Sequence, residues 1–194
     1  MKKSYFAIYK PFGMLSQFTG DENAQLLGDL HSFPKDVYSI GRLDKNSEGL
    51  LILTNDNNFK TRILDPTNKT PKTYYVQVDH DIDQKGCDEL AAGEILIKHN
   101  GKQHQVAPAE CHKISDPQLP ERSVPIRYRK DIPTSWIALT LKEGKNRQVR
   151  KMTAAIGHPT LRLVRFAIGK LNLNNMKPGD VIEIQPHDVI SDRN

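Results

Sequence analysis

Residues 41–56 read GRLDKNSEGLLILTND and join a polar loop to an aliphatic run. The run GLLILT at 49–54 has the length and continuous hydrophobicity of a strand that is buried on both faces. The residues before it, Gly41-Arg-Leu-Asp44, have the glycine and the charged side chains of an exposed turn. The stretch therefore predicts a buried strand that begins directly after a polar loop carrying Asp44.

Strands and helices are both predicted on either side of this segment. Alternating or continuous apolar residues indicate strands, periodic ones indicate helices, and Asn100-Gly101 indicates a hairpin with a primed turn. Four prolines within 115–134 predict a long loop. The result is an α+β chain dominated by strands. Strands are predicted at 5–9, 37–40, 49–54, 72–78, 94–98, 103–107, 135–142, 160–168 and 180–184, and helices at 24–30, 57–64, 83–92 and 146–156.

Length and composition limit the class of protein. A chain of 194 residues with 37% hydrophobic and 26% charged residues forms one domain, or one domain of two lobes, and is not disordered. Cys87 and Cys111 have neither CxxC nor metal-ligand spacing, so we expect a reducing cytoplasm. We see no secretory leader, and the longest aliphatic run, 50–53, is too short to cross a membrane.

The charge of the chain is unevenly distributed. Residues 122–170 contain 12 Lys or Arg and 2 acidic residues, whereas the whole chain has a net charge of only +5. All of the basic excess therefore lies in the C-terminal half. Such runs are usually solvated surfaces, but a regional excess in an ordered segment favours contact with a polyanion.

The predicted helix 146–156 carries part of this charge. Val149, Met152 and Ile156 fall on one face of the helix, and three basic residues fall on the opposite face. A glycine turn before an Arg-rich helix N-terminus can bind phosphate through backbone N–H groups and guanidinium groups. An amphipathic surface helix with solvated cations is an equally good interpretation. The basic residues are Arg147, Arg150 and Lys151.

Asp44 and the Tyr74-Tyr75 pair each have a purely structural interpretation when taken alone. Asp44 is typical of a turn former, and a catalytic carboxylate would need a neighbouring cation and access to a substrate. Tyr74 and Tyr75 are adjacent in a strand, so they point to opposite faces. One ring can pack in the core while the other offers a stacking surface for a nucleobase.

Taken together, four segments resemble the RsuA-like family of RNA pseudouridine synthases. They occur in the family's order, and the similarity extends from the first strand to about residue 184. A closer resemblance, to the subgroup of large-subunit pseudouridine synthases E, is carried by three further stretches. These are YKPFGMLSQFT at 9–19, PIR at 125–127 and IPTSW at 132–136. The four segments are GRLDKNSEGLLILTND at 41–56, KTY at 72–74, LKEGKNRQVRKM at 141–152 and LRLVRFAIG at 161–169.

The resemblance implies one catalytic domain over 1–194 with the pseudouridine synthase fold. That fold is a mixed, mostly antiparallel sheet in two lobes with a central cleft. Many relatives carry an S4-type RNA-binding domain before the catalytic one. Because the first strand here begins within a few residues of the start, we expect that domain to be absent. The family uses no cofactor and no metal, and the sequence contains no nucleotide-binding or metal-binding motif.

The resemblance also assigns roles to individual residues. Asp44 would be the nucleophile, at either C1′ of the ribose or C6 of the uracil, and Arg150 would pair with it. Tyr74 would stack on the uracil and serve as a base late in the reaction, and Arg42 would fill the gap left by the extracted nucleotide. The expected phosphate contacts are Arg147, Lys151, Arg162 and Arg165.

The expected substrate is a uridine in large-subunit (23S) ribosomal RNA, either in naked RNA or in a ribosome assembly intermediate. The expected protein is a monomer in the cytoplasm with no membrane partner. The sequence leaves the identity of the uridine open. Three other functions also remain open: a catalytically silent RNA-binding module, an enzyme acting on another rRNA loop or a tRNA, and a sequence-independent phosphate binder.

Overall fold

The computed structural model describes residues 2–68, 70–126 and 130–191, so residues 127–129 of the predicted proline-rich loop lie outside the described residues. Strands predominate over helices in the described part of the chain, in agreement with the predicted α+β class. The elements are β1 (Tyr5–Lys10), β2 (Tyr38–Ser39), β3 (Glu48–Thr54), α1 (Asn57–Leu64), β4 (Lys72–Asp79), α2 (Gln84–Ala91), β5 (Leu96–His99), β6 (Lys102–Gln105), β7 (Glu110–Ile114), β8 (Thr134–Leu141), α3 (Gln148–Ala155), β9 (Thr160–Ile168), β10 (Leu171–Asn172), β11 (Val181–Glu183) and α4 (Pro186–Val189).

The chain divides into two compact units. The terminal unit contains residues 1–70 and 165–194, and the central unit contains residues 71–164. In the terminal unit β1 pairs antiparallel with both β3 and β11, and β2 pairs antiparallel with β3. All seven residues of β3 are buried, which confirms the strand predicted from GLLILT. Its Leu51 and Leu53 pack with Phe6, Ile8 and Leu27 in the core of this unit.

Gly49 brings two strands of the terminal unit close together. Its φ of +113° is a backbone conformation that side chains with a Cβ rarely adopt. A Cβ at this position would meet the backbone nitrogen of Arg165 at 2.6 Å, so β3 and the start of the Arg165 segment can approach only because residue 49 has no side chain.

The central unit is built on β4, β8 and β7. Strand β8 pairs antiparallel with β4 on one side and with β7 on the other, while β5 and β6 form a separate hairpin. Val76 and Ile137 contribute to a hydrophobic core that Leu90 of α2 joins. Val149 and Met152 of α3 are buried in the same core, which confirms the predicted apolar face of that helix.

Some predicted boundaries were wrong for identifiable physical reasons. The predicted helix 24–30 is only a 3-10 turn at Leu27–Asp29. The helix predicted from residue 146 begins at Gln148, because Arg147 has a left-handed φ of 51° that an α-helix cannot contain. The hairpin strands are shifted towards the turn, and the positive φ of both Asn100 and Gly101 confirms the primed turn.

Candidate active site

Asp44 lies in the loop between β2 and β3, within the terminal unit. Its side chain is half-buried, that of Arg42 is exposed, and the loop enters β3 through a turn in which Ser47 N donates to Asp44 O at 3.0 Å. Gly41 takes a φ of +70° at the start of the loop. The predicted polar loop is therefore present, and Asp44 is only partly buried in it.

The loop is anchored on both sides of Asp44 by the segment that follows β1. The buried hydroxyl of Ser16 donates to Leu43 O at 2.8 Å and accepts from Leu43 N at 3.0 Å. On the other side, Gly13 N donates to Lys45 O at 2.9 Å. Three hydrogen bonds to the flanking backbone thus fix the position from which the Asp44 side chain projects.

We expect Ser16→Ala to loosen this loop. The change would leave Leu43 N and Leu43 O buried without their partner, a loss of about 1–3 kcal/mol in the free energy of unfolding. Because Ser16 acts through the backbone next to Asp44, kcat should fall more than the affinity for RNA. Urea unfolding and single-turnover kinetics measure the two effects, with exposed Ser32→Ala as the control. Unchanged turnover in Ser16→Ala would show that the anchor does not affect Asp44.

Lys10 is a buried cation in the same unit. Its side chain is completely buried, and Nζ donates to Met14 O at 2.8 Å and to Pro11 O at 2.9 Å. Burial lowers the pKa of Lys10 to about 8, while the negative charges of Glu48 and Asp44 act in the opposite direction. Lys10 therefore interacts electrostatically with Asp44, and a positive charge on Lys10 would favour the ionised form of that carboxylate.

Arg165 is also buried in the terminal unit. It is 5% exposed, and its Nε donates to Leu50 O of β3 at 2.8 Å. Burial is the largest cause of the lowered pKa of Lys10, and the positive charge of Arg165 acts in the same direction with a smaller effect. The two carboxylates oppose both effects. A side chain so placed does not reach solvent, which argues against the predicted phosphate contact by Arg165.

Tyr74 and Arg150 belong to the central unit. Tyr74 is 9% exposed and packs in the hydrophobic core, whereas Tyr75 on the other face of β4 is half-buried, and burial raises the pKa of its hydroxyl. Arg150 is half-buried on α3, and its Nη1 donates to Thr160 O at 3.4 Å. The predicted pairing of Arg150 with Asp44 and the predicted stacking of Tyr74 on the uracil both require residues of different units. Both roles stay predictions.

The four predicted phosphate ligands differ in their exposure. Arg147 is exposed at the N-terminus of α3, and Lys151 is half-buried, with its Nζ donating to Lys98 O at 2.7 Å. Arg162 is 8% exposed, and its Nη2 donates to Pro120 O at 2.7 Å. Burial therefore argues against Arg162 as well as Arg165, and of the four Arg147 is the best placed for an RNA backbone.

Glu143 organises the turn that carries Arg147, and sequence reasoning missed it. Its carboxylate accepts from Gln148 Nε2 at 2.6 Å and from Ala107 N at 2.9 Å, and it lies 3.2 Å from His104 Nε2. Burial alone would raise the pKa of Glu143, but these donors outweigh it and lower the pKa below its usual value. Gln148 also accepts from Lys145 N at 2.9 Å, so the whole turn is held in place.

In residues 2–68, 70–126 and 130–191 no three His, Cys, Asp or Glu side chains are close enough together to hold a metal ion. No helix in the same ranges is long and apolar enough to cross a membrane.

Comparison with known proteins places the chain in a family. The family model for RNA pseudouridylate synthase matches residues 4–155. Ribosomal large subunit pseudouridine synthase E of Vibrio parahaemolyticus is 46% identical over 176 residues, covering 91% of this chain and 71% of the relative. The protein of the same name from Xanthomonas campestris is 45% identical over 172 residues, covering 88% and 89%. The chain therefore belongs to the RNA pseudouridine synthases, the isomerases that convert uridine in RNA to pseudouridine.

Other relatives and solved structures agree with this assignment. Ribosomal large subunit pseudouridine synthase B of Bacillus subtilis is 35% identical over 186 residues, covering 95% of this chain and 69% of the relative. The crystal structure of a pseudouridylate synthase aligns with a TM-score of 0.77 at 24% identity, covering 97% of this chain and 73% of that one. The structural similarity confirms the predicted pseudouridine synthase fold.

Proposed function

We propose that this enzyme isomerises one uridine of large-subunit ribosomal RNA and that Asp44 is its nucleophile. The observation that carries the proposal is the anchored loop, in which three hydrogen bonds fix the backbone around the half-buried Asp44, and Asp44 interacts electrostatically with the buried Lys10. The choice of RNA is supported by the 45–46% identity to relatives named for the large ribosomal subunit. Residues 1–194 would form one catalytic domain, acting as a monomer in the cytoplasm.

The proposed reaction begins when the Asp44 carboxylate attacks the nucleotide at C1′ of the ribose or C6 of the uracil. The bond between N1 and C1′ breaks, and its electron pair stays with the base. The base then rotates within the site and C5 forms a bond to C1′. The bond between Asp44 and the nucleotide breaks, which regenerates the carboxylate, and the hydrogen on C5 leaves as a proton. Each atom of the substrate is retained except for that proton, which is replaced at N1 by one from solvent, so the reaction is an isomerisation.

Three further residues would assist this chemistry. Arg150 would pair with Asp44 and keep it ionised, since a neighbouring guanidinium favours the charged form of a carboxylate. Tyr74 would stack on the uracil and accept the C5 proton. Arg42, which is exposed, would occupy the space vacated by the everted nucleotide. Eversion costs a few kcal/mol, which phosphate contacts from Arg147 and Lys151 would offset.

Release of tritium from C5 tests the proposal directly. Because C5 exchanges its hydrogen for a bond to C1′, RNA labelled with tritium at C5 of uridine should release one tritium for each pseudouridine formed. We expect release from large-subunit rRNA transcripts and none from small-subunit rRNA or tRNA. Tritium release from tRNA but not from rRNA would reject the proposed substrate. If no tritium were released from either deproteinised rRNA or assembly intermediates, the proposed activity would be rejected.

A further inference from the structure

We propose that one face of the β5–β6 hairpin, together with the N-terminal turn of α3, binds the backbone of the RNA substrate through Lys102 and Arg147. We call this surface the basic face. The inference rests on the proposed function for the identity of the RNA, but its residues lie outside the proposed catalytic set. Phosphate groups are the ligands expected for such exposed cations.

The hairpin is fixed to α3 by contacts within the central unit. Lys151 Nζ donates to Lys98 O at 2.7 Å, and Ile97 is buried in the same core as Val149 and Met152 of α3. At the base of the hairpin, His104 lies 3.2 Å from Glu143. The hairpin and the helix therefore present their exposed side chains as one rigid surface.

The pairing register shows which cations share a face. His99 pairs with Lys102, and Ile97 pairs with His104. Because opposed residues lie on the same face and successive residues alternate, these four side chains lie on the side that packs towards α3. Lys98 pairs with Gln103 and so lies on the other side of the hairpin. Lys102 is thus the exposed lysine on the face that adjoins the turn before α3.

The two segments that carry this surface are almost entirely positive in charge. Residues 95–105 and 142–155 contain seven Lys or Arg and one acidic residue, Glu143. The carboxylate of Glu143 interacts with Gln148, Ala107 N and His104. It therefore competes little with RNA phosphate for the neighbouring cations. A surface with one sign of charge attracts a polyanion and raises its rate of association.

Lys151, one of the predicted phosphate ligands, also joins α3 to the hairpin through its ammonium group. Arg162 and Arg165 are buried, and Lys102 is the exposed cation that the hairpin adds to this surface. Lys102 directly follows the two-residue turn at Asn100-Gly101, and a Cβ added to Gly101 would meet nothing within 4 Å, so the tip of the hairpin has open space for a large ligand.

The salt dependence of RNA binding tests the basic face. We expect Lys102→Ala and Arg147→Asn each to weaken binding roughly fivefold and to reduce the slope of log Kd against log salt by about 0.7–0.9, the loss of one phosphate contact. Asparagine is chosen at 147 because it tolerates the left-handed φ of this residue. Lys98→Ala, a lysine on the opposite side of the same hairpin, is the matched control and should keep the wild-type slope.

The affinities should be measured on large-subunit rRNA transcripts, both in the wild-type background and in Asp44→Asn. Unchanged slopes in Lys102→Ala and Arg147→Asn, or an equal loss in Lys98→Ala, would overturn the basic face. The proposed catalytic role fails separately, if Asp44→Asn retains tritium release. The salt slopes of the variants would still decide the binding surface in that case.

Discussion

Asparagine at position 44 is expected to leave the enzyme folded and able to bind RNA, but without measurable isomerase activity. The amide has almost the size of the carboxylate but no negative charge, so it cannot attack C1′ or C6. Removing a nucleophile typically lowers kcat by roughly 10⁴-fold or more. Tritium release measures the activity, and equilibrium binding to the same transcript measures the affinity.

The control for this prediction is Asp21→Asn, which removes one negative charge from an exposed position of the same unit. It should retain wild-type turnover. Turnover in Asp44→Asn within tenfold of the wild type would show that the carboxylate is not the nucleophile. A large loss of RNA affinity in Asp44→Asn would instead assign the residue to binding.

Alanine at position 49 is expected to destabilise the protein more than any other small change discussed above. The left-handed backbone conformation of Gly49 costs a residue with a Cβ about 1–3 kcal/mol, and overpacking costs a similar amount. Here the added Cβ would lie within 3.0 Å of the Arg165 nitrogen and carbonyl carbon. We therefore expect the free energy of unfolding to fall by about 4 kcal/mol, as measured by urea denaturation.

Gly144→Ala is the matched control, because a Cβ at residue 144 meets nothing within 4 Å. Its free energy of unfolding should change by less than about 0.5 kcal/mol. If Gly49→Ala were as stable as Gly144→Ala, the close approach of the Gly49 and Arg165 backbones would not exist in solution.

Elements with a strong local pattern could be predicted from the sequence. The helix at 57–64 and the strand at 160–168 were predicted with the observed bounds, because Asp65-Pro66 ends the first and apolar residues dominate the second. Strand β7 was missed, since its residues Glu110–Ile114 are polar and largely exposed and so lack a strand pattern. The start of α3 was wrong because one residue, Arg147, adopts a conformation that no local pattern revealed.

The environment of the candidate site depended on contacts between distant residues. Ser16 bonds to Leu43 across 27 positions, and Arg165 bonds to Leu50 across 115. Periodicity and charge runs carry no signal for such pairs, so Ser16 and Lys10 could have been singled out only as members of the YKPFGMLSQFT segment. For the same reason, the basic run at 122–170 could not distinguish exposed Arg147 from buried Arg165.

The central claim is tested most directly by mapping pseudouridine in the ribosomal RNA of cells that lack this protein. Carbodiimide modification followed by primer extension reports each pseudouridine as a stop. We predict that one stop in large-subunit rRNA disappears, that the wild-type protein restores it, and that Asp44→Asn does not. Restoration of that stop by Asp44→Asn, or an unchanged map in the deletion strain, would contradict the account.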